Sequence, residues 1–303
     1  MTLDILRVGD EVRRALTEGT ATVALETSVI SQGLPFPRNQ ECVDRMNAAV
    51  RAAGAVPAWI GVVGGSMIVG LSPDQLGRFV DPVAGATKVA RRDVPVAVAS
   101  GALGATTVSA TIWAAARAGI SVGVTGGIGG VHPGPGSDVS ADLWELARTP
   151  VLLVCSGPKS VVDPVATVER LDELGVTLVG YGVDTLPFFL AREAPSVKLE
   201  HRVDSPEAAA SLGVALHDLD MHCAIVLCNP VPAHAAMGGR EVRAAVEEAE
   251  TRAQVAGARG APRTPFLLAA LAEITEGRSL DTNLALLEDN ARVAGLVASA
   301  RFG

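Results

Sequence analysis

The stretch VLLVCSGPKS, residues 151–160, joins an apolar run to a glycine, a proline and a lysine. Its first five residues are continuously apolar, and this pattern is typical of a strand in a parallel sheet that helices cover on both faces. Glycine next to proline marks a turn after such a strand. The stretch therefore predicts a buried strand of an α/β protein, with Lys159 delivered to its carboxyl end.

The rest of the chain repeats this alternation of strand and helix. Apolar runs predict strands at 21–25, 55–63, 94–100, 120–127, 151–157, 176–182 and 223–229. Helical periodicity and end signals predict helices at 39–53, 105–118, 140–148, 161–174, 206–219, 238–256, 264–275 and 280–300. Ser72, Pro73 and Gln75 form the pattern of a capping box, which predicts one more helix start. We expect an α/β fold with a largely parallel or mixed central sheet flanked by helices, as a single domain over residues 1–303 with C-terminal helices.

Composition and charge argue against several classes of protein. With 49% hydrophobic and 19% charged residues, the 303-residue chain is typical of a globular protein. Its net charge of -8 argues against nucleic-acid binding, which needs clustered lysine and arginine. No apolar run reaches the roughly 18 residues of a membrane span, and residues 1–16 predict an amphipathic helix and not a signal peptide. The four cysteines lack a CxxC spacing, so we expect a cytoplasmic protein without structural zinc.

Polar residues follow most of the predicted strands. Ligands of α/β proteins gather at the carboxyl ends of parallel strands, so these residues are expected to lie close together. They are Glu26, Thr27, Ser28, Thr106, Thr107, Thr125, His132, Lys159, Asp184, Thr185 and Asn229. Their positions predict a binding site at one edge of the sheet.

Lys159 and Glu26 are the candidates for covalent and acid–base chemistry. A lysine in an apolar pocket, or beside another cation such as Lys88, loses its proton more readily and becomes a nucleophile. A helix start near Ser160 favours the same neutral form, because the positive helix end opposes an ammonium charge. A half-buried carboxyl at the end of a strand has a raised pKa and can donate a proton. The alternatives are a lysine that extends to water, a Lys88 that holds an anionic phosphate, and a glutamate in a helix cap or a salt bridge.

A glycine-rich stretch, TGGIGGVHPG at 125–134, follows the fourth predicted strand. Its spacing fits neither the GxGxxG motif of dinucleotide-binding proteins nor a Walker A loop. Its glycines either leave backbone amides free for a ligand or form a flexible turn, and His132 is either a ligand contact or a solvated loop residue. Asp138 and Asp142 come next. Two carboxylates suit Mg²⁺ or Mn²⁺, unless they only favour the N-terminus of a helix.

Nine blocks of the sequence resemble one known family, the pseudouridine-5'-phosphate glycosidases, also called indigoidine synthase A-like proteins. The blocks are 24–41, 88–93, 104–112, 123–134, 138–147, 155–176, 180–189, 229–232 and 279–294. They occur in the order of the family, and the resemblance extends from about residue 4 to residue 301.

The resemblance implies an enzyme that reversibly cleaves the C–C glycosidic bond of pseudouridine 5'-phosphate to uracil and ribose 5-phosphate. Lys159 resembles the family's nucleophile, which attacks C1' of the ribose, opens the sugar ring and leads to an imine. Glu26 resembles the proton donor, and Asp138 resembles the residue that holds one Mn²⁺ per subunit through water molecules. The substrate-binding positions that the family implies are Lys88, Thr107, Val108, Thr125, His132, Ser140, Ala141, Asp142 and Asn283. The family also implies an α/β fold and a homotrimer.

The sequence departs from the family pattern in two places. Pro158 directly precedes the lysine in CSGPKS, where the family usually has alanine or valine, and the stretch from His132 to Asp138 is shorter than the usual loop. Pro158 lies next to Lys159, and the shorter stretch lies between His132 and Asp138, but neither departure removes a candidate catalytic or binding residue. They motivate an alternative, a related lysine-dependent C-glycosidase or C-glycosynthase that acts on another C-riboside phosphate. Two further hypotheses are a sugar-phosphate-binding protein without catalysis and an ordinary N-nucleosidase.

Overall fold

The computed structural model describes residues 5–133, 138–194, 197–258 and 263–302. Within these ranges one sheet contains β1 Leu6–Val8, β2 Thr22–Glu26, β3 Val56–Val63, β4 Ser66–Val69, β5 Thr87–Val89, β6 Gly104–Thr106, β7 Val122–Val124, β8 Leu152–Cys155, β9 Thr177–Tyr181, β10 His201–Val203 and β11 Ile225–Cys228. The α-helices are α1 Asp10–Thr17, α2 Arg38–Ala52, α3 Pro73–Val80, α4 Val94–Ser100, α5 Val108–Arg117, α6 Ala141–Leu146, α7 Pro164–Glu173, α8 Pro206–Asp218, α9 Gly239–Val255, α10 Arg263–Ile274 and α11 Arg278–Phe302. A π-helical segment at Val29–Gly33 and a 3₁₀ turn at Arg91–Asp93 complete the regular structure of these ranges.

The sheet is mixed but mostly parallel. Its strands follow the order β1-β4-β3-β2-β7-β8-β11-β9-β10, and β6 pairs with both β3 and β5. Only β4 and β6 run antiparallel to their neighbour β3; the other pairs are parallel. The predicted α/β fold with a largely parallel or mixed central sheet flanked by helices is confirmed.

The continuous apolar runs reflect a sheet that is covered on both faces. In β2, Val23 and Leu25 belong to the hydrophobic cluster that includes α2 and α11 residues, whereas Ala24 belongs to the cluster on the α5 side. All residues of β8 are buried between β7 and β11. Since side chains alternate between the two faces of a strand, both alternating sets must be apolar here.

Two predictions of secondary structure were wrong. Residues 94–100, predicted as a strand, form α4. Pro95 lies in its first turn, where a missing N–H does no harm, and Gly101 ends the helix in the left-handed conformation with φ of 67°. The strand that follows α4 is β6. It includes residues 105 and 106, which were predicted as the start of the helix 105–118, and α5 begins at Val108. The N-terminal stretch, predicted as one amphipathic helix, contains β1 before α1.

The other predicted elements agree with the structure to within a few residues at their ends. The predicted capping box is present at the start of α3, where Ser72 Oγ accepts a hydrogen bond from Gln75 N at 3.3 Å. In return, Ser72 N donates to Gln75 Oε1 at 3.0 Å. No helix within the described ranges is long and apolar enough to cross a membrane.

Candidate active site

A cavity of about 180 Å³ opens at the carboxyl ends of β2, β6, β7 and β8. The predicted site residues that line it are Glu26, Lys88, Thr107, Thr125, His132, Asp138, Ser140, Ala141, Asp142, Lys159 and Asn283. Val108 does not line it, because its side chain is buried at the start of α5. Its backbone amide is among the first of that helix, and such amides have no partner within the helix. The parallel strands therefore bring residues together that are far apart in the sequence.

Glu26 is a buried carboxyl at the end of β2. Its side chain accepts hydrogen bonds from Ser28 Oγ at 2.7 Å and from Thr125 Oγ1. Burial raises the pKa of Glu26, and this effect outweighs the charge of Lys159 and the two hydrogen bonds, which act in the opposite direction. The arrangement favours a carboxylic acid that keeps its proton to higher pH than an exposed glutamate does.

Lys159 follows β8 on a rigid turn. The glycine-rich stretch pairs with this turn, since Ile128 N donates to Gly157 O at 3.1 Å and Lys159 N donates to Ile128 O at 3.0 Å. Pro158 is buried and forms a bridge with Ile128. Among the described residues, the Lys159 amine has no hydrogen-bond or ion-pair partner, yet its charge acts on Glu26. The amine is thus held at the cavity without being neutralised by a salt bridge.

The lysine count is a signal that our sequence analysis missed. The chain has 25 basic residues, but its lysines are only Lys88, Lys159 and Lys198. Lys88 and Lys159 line the cavity, whereas Lys198 does not. In a chain that otherwise uses arginine, a lysine at a strand end indicates a need for an amine and not merely for a positive charge.

Lys88 and His132 both have lowered pKa values. The side chain of Lys88 is exposed at the cavity, but the protein around it and the charge of Lys159 lower its pKa. Burial is the main cause of the lowered pKa of His132, and Arg263 adds to it. The imidazole is buried and lies 3.5 Å from Thr264 Oγ1 through Nε2, so it is not a solvated loop histidine.

The glycine-rich stretch is shaped by close approaches to α6 and α7. The Asp142 carboxylate accepts hydrogen bonds from the backbone amides of Ser109 and Gly129, each at 3.0 Å. A Cβ on Gly129 would lie 2.3 Å from Ser140 Oγ, and a Cβ on Gly130 would lie 2.3 Å from Thr167 Oγ1. These glycines are therefore required by packing around the cavity, and the stretch is not simply a flexible turn.

Asp138 has a carboxylate that is exposed at the cavity. Its backbone oxygen accepts a hydrogen bond from His132 N at 2.9 Å. Within the described residues, no three His, Cys, Asp or Glu side chains cluster as metal ligands would. Most of the shortened loop before Asp138, residues 134–137, lies outside the described ranges, and so does Gly134 of the glycine-rich stretch.

Asn290, a fully buried residue of α11, is a further residue of the site region that no sequence pattern indicated. Its Nδ2 donates to Thr125 O at 3.0 Å and to Ser156 Oγ at 3.0 Å, and its Oδ1 accepts from Asn229 Nδ2 at 3.0 Å. One side chain thus connects the ends of β7, β8 and β11. Asn229, a predicted strand-end residue, serves this network and does not line the cavity.

Two other predicted strand-end residues lie away from the cavity. Asp184 forms an ion pair with Arg202 on the exposed surface, at 2.8 Å. Thr185 forms an isolated backbone β-bridge with Lys198. Neither residue lines the cavity. Phe189 from the same region does line it, and its backbone N donates to Ser156 O at 2.9 Å.

Comparisons with known proteins support one family. The family described as indigoidine synthase A like protein matches residues 11–300. The pseudouridine-5'-phosphate glycosidase of Herpetosiphon aurantiacus is 46% identical over 299 residues, which cover 98% of each chain, and that of Escherichia coli is 42% identical over 297 residues, which cover 97% of this chain and 95% of its own. The crystal structure of an indigoidine synthase A-like protein from Thermotoga maritima gives a TM-score of 0.86 at 37% identity over 93% of both chains. The prealnumycin C-glycosynthase AlnA in complex with ribulose 5-phosphate gives 0.88 at 37% identity over 99% of this chain and 98% of its own.

Proposed function

The chain belongs to the indigoidine synthase A-like protein family, and we propose that it is an enzyme that reversibly cleaves pseudouridine 5'-phosphate to uracil and ribose 5-phosphate. Relatives that match it over nearly their whole length are named for this glycosidase activity. The observation that carries the proposal is that a buried carboxyl, Glu26, lines the same cavity as Lys159, whose amine has no ion-pair partner among the described residues. Ordinary glycosidases protonate an oxygen leaving group between two carboxylates, and a carbon leaving group needs a different arrangement.

In the proposed first step, the Lys159 amine attacks C1' of the ribose. A C–N bond forms as the bond between C1' and the ring oxygen breaks. The ring oxygen takes up a proton, and the amine loses one. The product is a ring-opened sugar that is bonded to both Lys159 and uracil. Within the described residues no salt bridge holds the Lys159 amine, and this suits its role as the nucleophile.

In the second step, Glu26 donates its proton to C5 of uracil. The C1'–C5 bond breaks, and its electron pair restores the double bond of the uracil ring. The nitrogen lone pair of Lys159 forms an imine at C1' at the same time. Water then adds to C1', returns a proton to Glu26, and releases ribose 5-phosphate as the C–N bond breaks. The raised pKa of Glu26 supports its role as the acid.

We assign the phosphate to the part of the cavity that Lys88 and Ser140 line. Lys88 supplies a cation there and Ser140 a hydroxyl. The family resemblance adds the backbone amide of Val108, at the start of α5 and next to the lining residue Thr107. The family resemblance implies these positions together with Ala141 and Asp142. Thr107, Thr125, His132 and Asn283 remain for the sugar and the base.

We assign a divalent ion, Mn²⁺ by family resemblance, to Asp138. Its carboxylate is exposed, whereas that of Asp142 is engaged by two backbone amides. A single free carboxylate fits an ion that is held mainly through water molecules, as hard divalent cations often are. When bound, the ion would supply positive charge beside the phosphate. We expect Asp138→Ala to weaken Mn²⁺ binding in calorimetry, while Asp74→Ala on the surface does not.

The proposal is tested by incubating the protein with pseudouridine 5'-phosphate and Mn²⁺ and measuring uracil by chromatography. The covalent step is tested by adding ribose 5-phosphate and borohydride and mapping the modified peptide by mass spectrometry. We expect a pentose phosphate on Lys159, and neither adduct nor turnover in Lys159→Ala. Lys198→Ala serves as the control and should keep both. Uracil release without an adduct on Lys159 would contradict the imine mechanism. A protein that neither releases uracil from pseudouridine 5'-phosphate nor forms this compound from uracil and ribose 5-phosphate would contradict the proposed substrate.

The second candidate is a related lysine-dependent enzyme that makes or cleaves another C-riboside phosphate. The similarity to a C-glycosynthase over 99% of the chain favours it, together with Pro158 before the nucleophile. It predicts that another C-riboside phosphate is turned over with a kcat/KM at least ten times that of pseudouridine 5'-phosphate. A lower value for every such compound would reject it.

We further propose a homotrimer, which the family resemblance implies. Light scattering should then give three times 31.0 kDa, or about 93 kDa. A mass near that of one subunit would contradict this state.

A further inference from the structure

Two amide oxygens at the cavity lack a hydrogen-bond partner within the described part of the chain. They are Gln32 Oε1 and Asn283 Oδ1, and both atoms are buried. Both residues line the cavity. A buried acceptor without a donor costs about 1–3 kcal/mol. Two such acceptors in the wall of one cavity indicate a ligand that supplies the missing donors.

The orientation of the Gln32 amide is fixed by its other end. Gln32 Nε2 donates to Ala86 O at 3.0 Å, so the nitrogen points at a carbonyl and Oε1 is the free atom. The segment Val29–Gly33 that carries Gln32 is itself anchored, because Ser31 Oγ donates to Phe79 O at 2.9 Å. Gln32 Oε1 is therefore the oxygen that can accept a hydrogen bond from a ligand, and the anchored segment holds it in position.

Asn283 complements Gln32 from α11. The residue is buried, and its amide has no hydrogen bond to other described residues, so it can both donate and accept. Its neighbour Thr282 fixes the helix at this point, since Thr282 Oγ1 donates to Ala235 O at 2.8 Å. The amide of Asn283 is thus presented by a rigid element.

Apolar side chains line the same cavity as these two amides. Helix α10 packs against both the segment Val29–Gly33 and α11. Val29, Pro265 and Leu268 of these elements line the cavity. An apolar enclosure with a few fixed polar atoms suits a planar heterocycle whose edge carries hydrogen-bond donors.

We propose that Gln32 and Asn283 recognise the uracil ring by accepting hydrogen bonds from its two N–H groups, and thereby select a base that is linked through carbon. This inference rests on the proposed function. Uracil linked through C5 keeps hydrogens on both N1 and N3, whereas uracil linked through N1, as in uridine, keeps only the one on N3. The N1-linked base would leave one buried acceptor unpaired, and sites of this kind reject such analogues strongly.

The test compares pseudouridine 5'-phosphate with its N1-methyl and N3-methyl analogues. We expect the wild-type kcat/KM to be at least about 100 times higher for the parent than for either analogue. Gln32→Met removes the acceptor at nearly constant size. It should reduce the preference over one analogue at least tenfold, and Asn283→Leu should do the same for the other. Gln40→Met, an exposed position on α2, is the matched control and should change neither preference.

Two further measurements keep the inference open to contradiction if a variant folds poorly. Asn283→Asp retains an acceptor oxygen and should retain the discrimination that Asn283→Leu loses. Calorimetry on the wild type should show that uracil binds, and that N1-methyluracil and N3-methyluracil both bind more weakly. Wild-type turnover with preferences that Gln32→Met and Asn283→Leu leave unchanged would overturn the inference but not the proposed function. A wild type that releases no uracil from the parent compound would remove the proposed function, and the inference with it.

Discussion

The carboxyl of Glu26 owes its chemistry to its surroundings more than to its residue type. The end of β2 places it out of water, and two hydroxyl donors hold its oxygens. In water a glutamate has given up its proton well below neutral pH. Burial raises the pKa of Glu26, so its proton is retained to higher pH, as the proposed role of proton donor requires.

Glu26→Gln should separate catalysis from stability. We expect kcat to fall about 10²–10⁴-fold, because a proton donor is lost. The folded-state pKa of Glu26 lies above its ordinary value of 4.5, so its contribution to stability is lost as pH rises through the folded-state pKa. The midpoint of thermal unfolding of the variant, relative to wild type, should therefore be higher at pH 8 than at pH 4.

The exposed Glu200 offers the matched control for this prediction. Glu200→Gln should leave kcat unchanged. A Glu26→Gln difference in unfolding midpoint that stays flat between pH 4 and pH 8 would contradict the raised pKa of Glu26.

At the scale of elements, the glycine-rich stretch depends on direct contact with α6. We expect Gly129→Ala to lower the free energy of unfolding by about 1–3 kcal/mol, since the new methyl group would overlap Ser140 Oγ. The same overlap should raise KM. Gly77 in α3 has no atom within 4 Å of an added Cβ, so Gly77→Ala should be neutral or stabilising by up to about 1 kcal/mol. Equal effects of the two substitutions in urea unfolding would refute the close contact.

Asn290 is the point at which α11 holds three strand ends together. We expect Asn290→Ala to lower the free energy of unfolding by about 3 kcal/mol, because it leaves the buried carbonyl of Thr125 without this donor and removes the hydrogen bonds to Ser156 and Asn229. It should also lower kcat, since Thr125 contacts Glu26. Asn47, which has one partner, Trp59 Nε1, is the control, and Asn47→Ala should leave kcat unchanged. Normal kcat in Asn290→Ala would show that the strand ends do not need this connection.

The elements that sequence patterns predict are the long and continuously apolar ones. β8 and the helix at Ser72 carry a buried run and a capping box, which are local signals. Residues 94–100 mislead, since alternating valines favour a strand while Pro95 and Gly101 permit a short helix. The strands β1, β5 and β10 have three residues each, too few to show any periodicity.

At the scale of the molecule, α11 packs against α2, α8 and the strands β2, β7 and β8. Leu287 on this helix is fully buried beside Gly126. Leu287→Ala should lower the free energy of unfolding by about 2–5 kcal/mol, because it leaves a cavity between helix and sheet. Leu219 is 72% exposed, and Leu219→Ala should change the free energy of unfolding by less than about 0.5 kcal/mol. Urea unfolding of both variants tests this, and equal losses would contradict the central place of α11.

The candidate site shows what a sequence can and cannot predict about a whole molecule. Glu26 and Lys159 were predictable, because each follows an apolar strand and parallel strands end at the same edge. Gln32 and Asn290 were not, since their importance comes from partners 54 and 165 positions away along the chain. Only the folded arrangement shows that one amide oxygen lacks a donor and that the other amide connects three strands.

The late position of α11 in the chain has a consequence for folding during synthesis on the ribosome. Strands β2, β7 and β8 are synthesised long before the helix that covers one of their faces. Chains grow at about 5–20 residues per second, so the 123 positions from Cys155 to Arg278 delay the start of α11 by roughly 6–25 seconds after the end of β8. Before residue 290 has emerged, a nascent chain has no complete site, and the exposed apolar face of its strands makes it prone to aggregation.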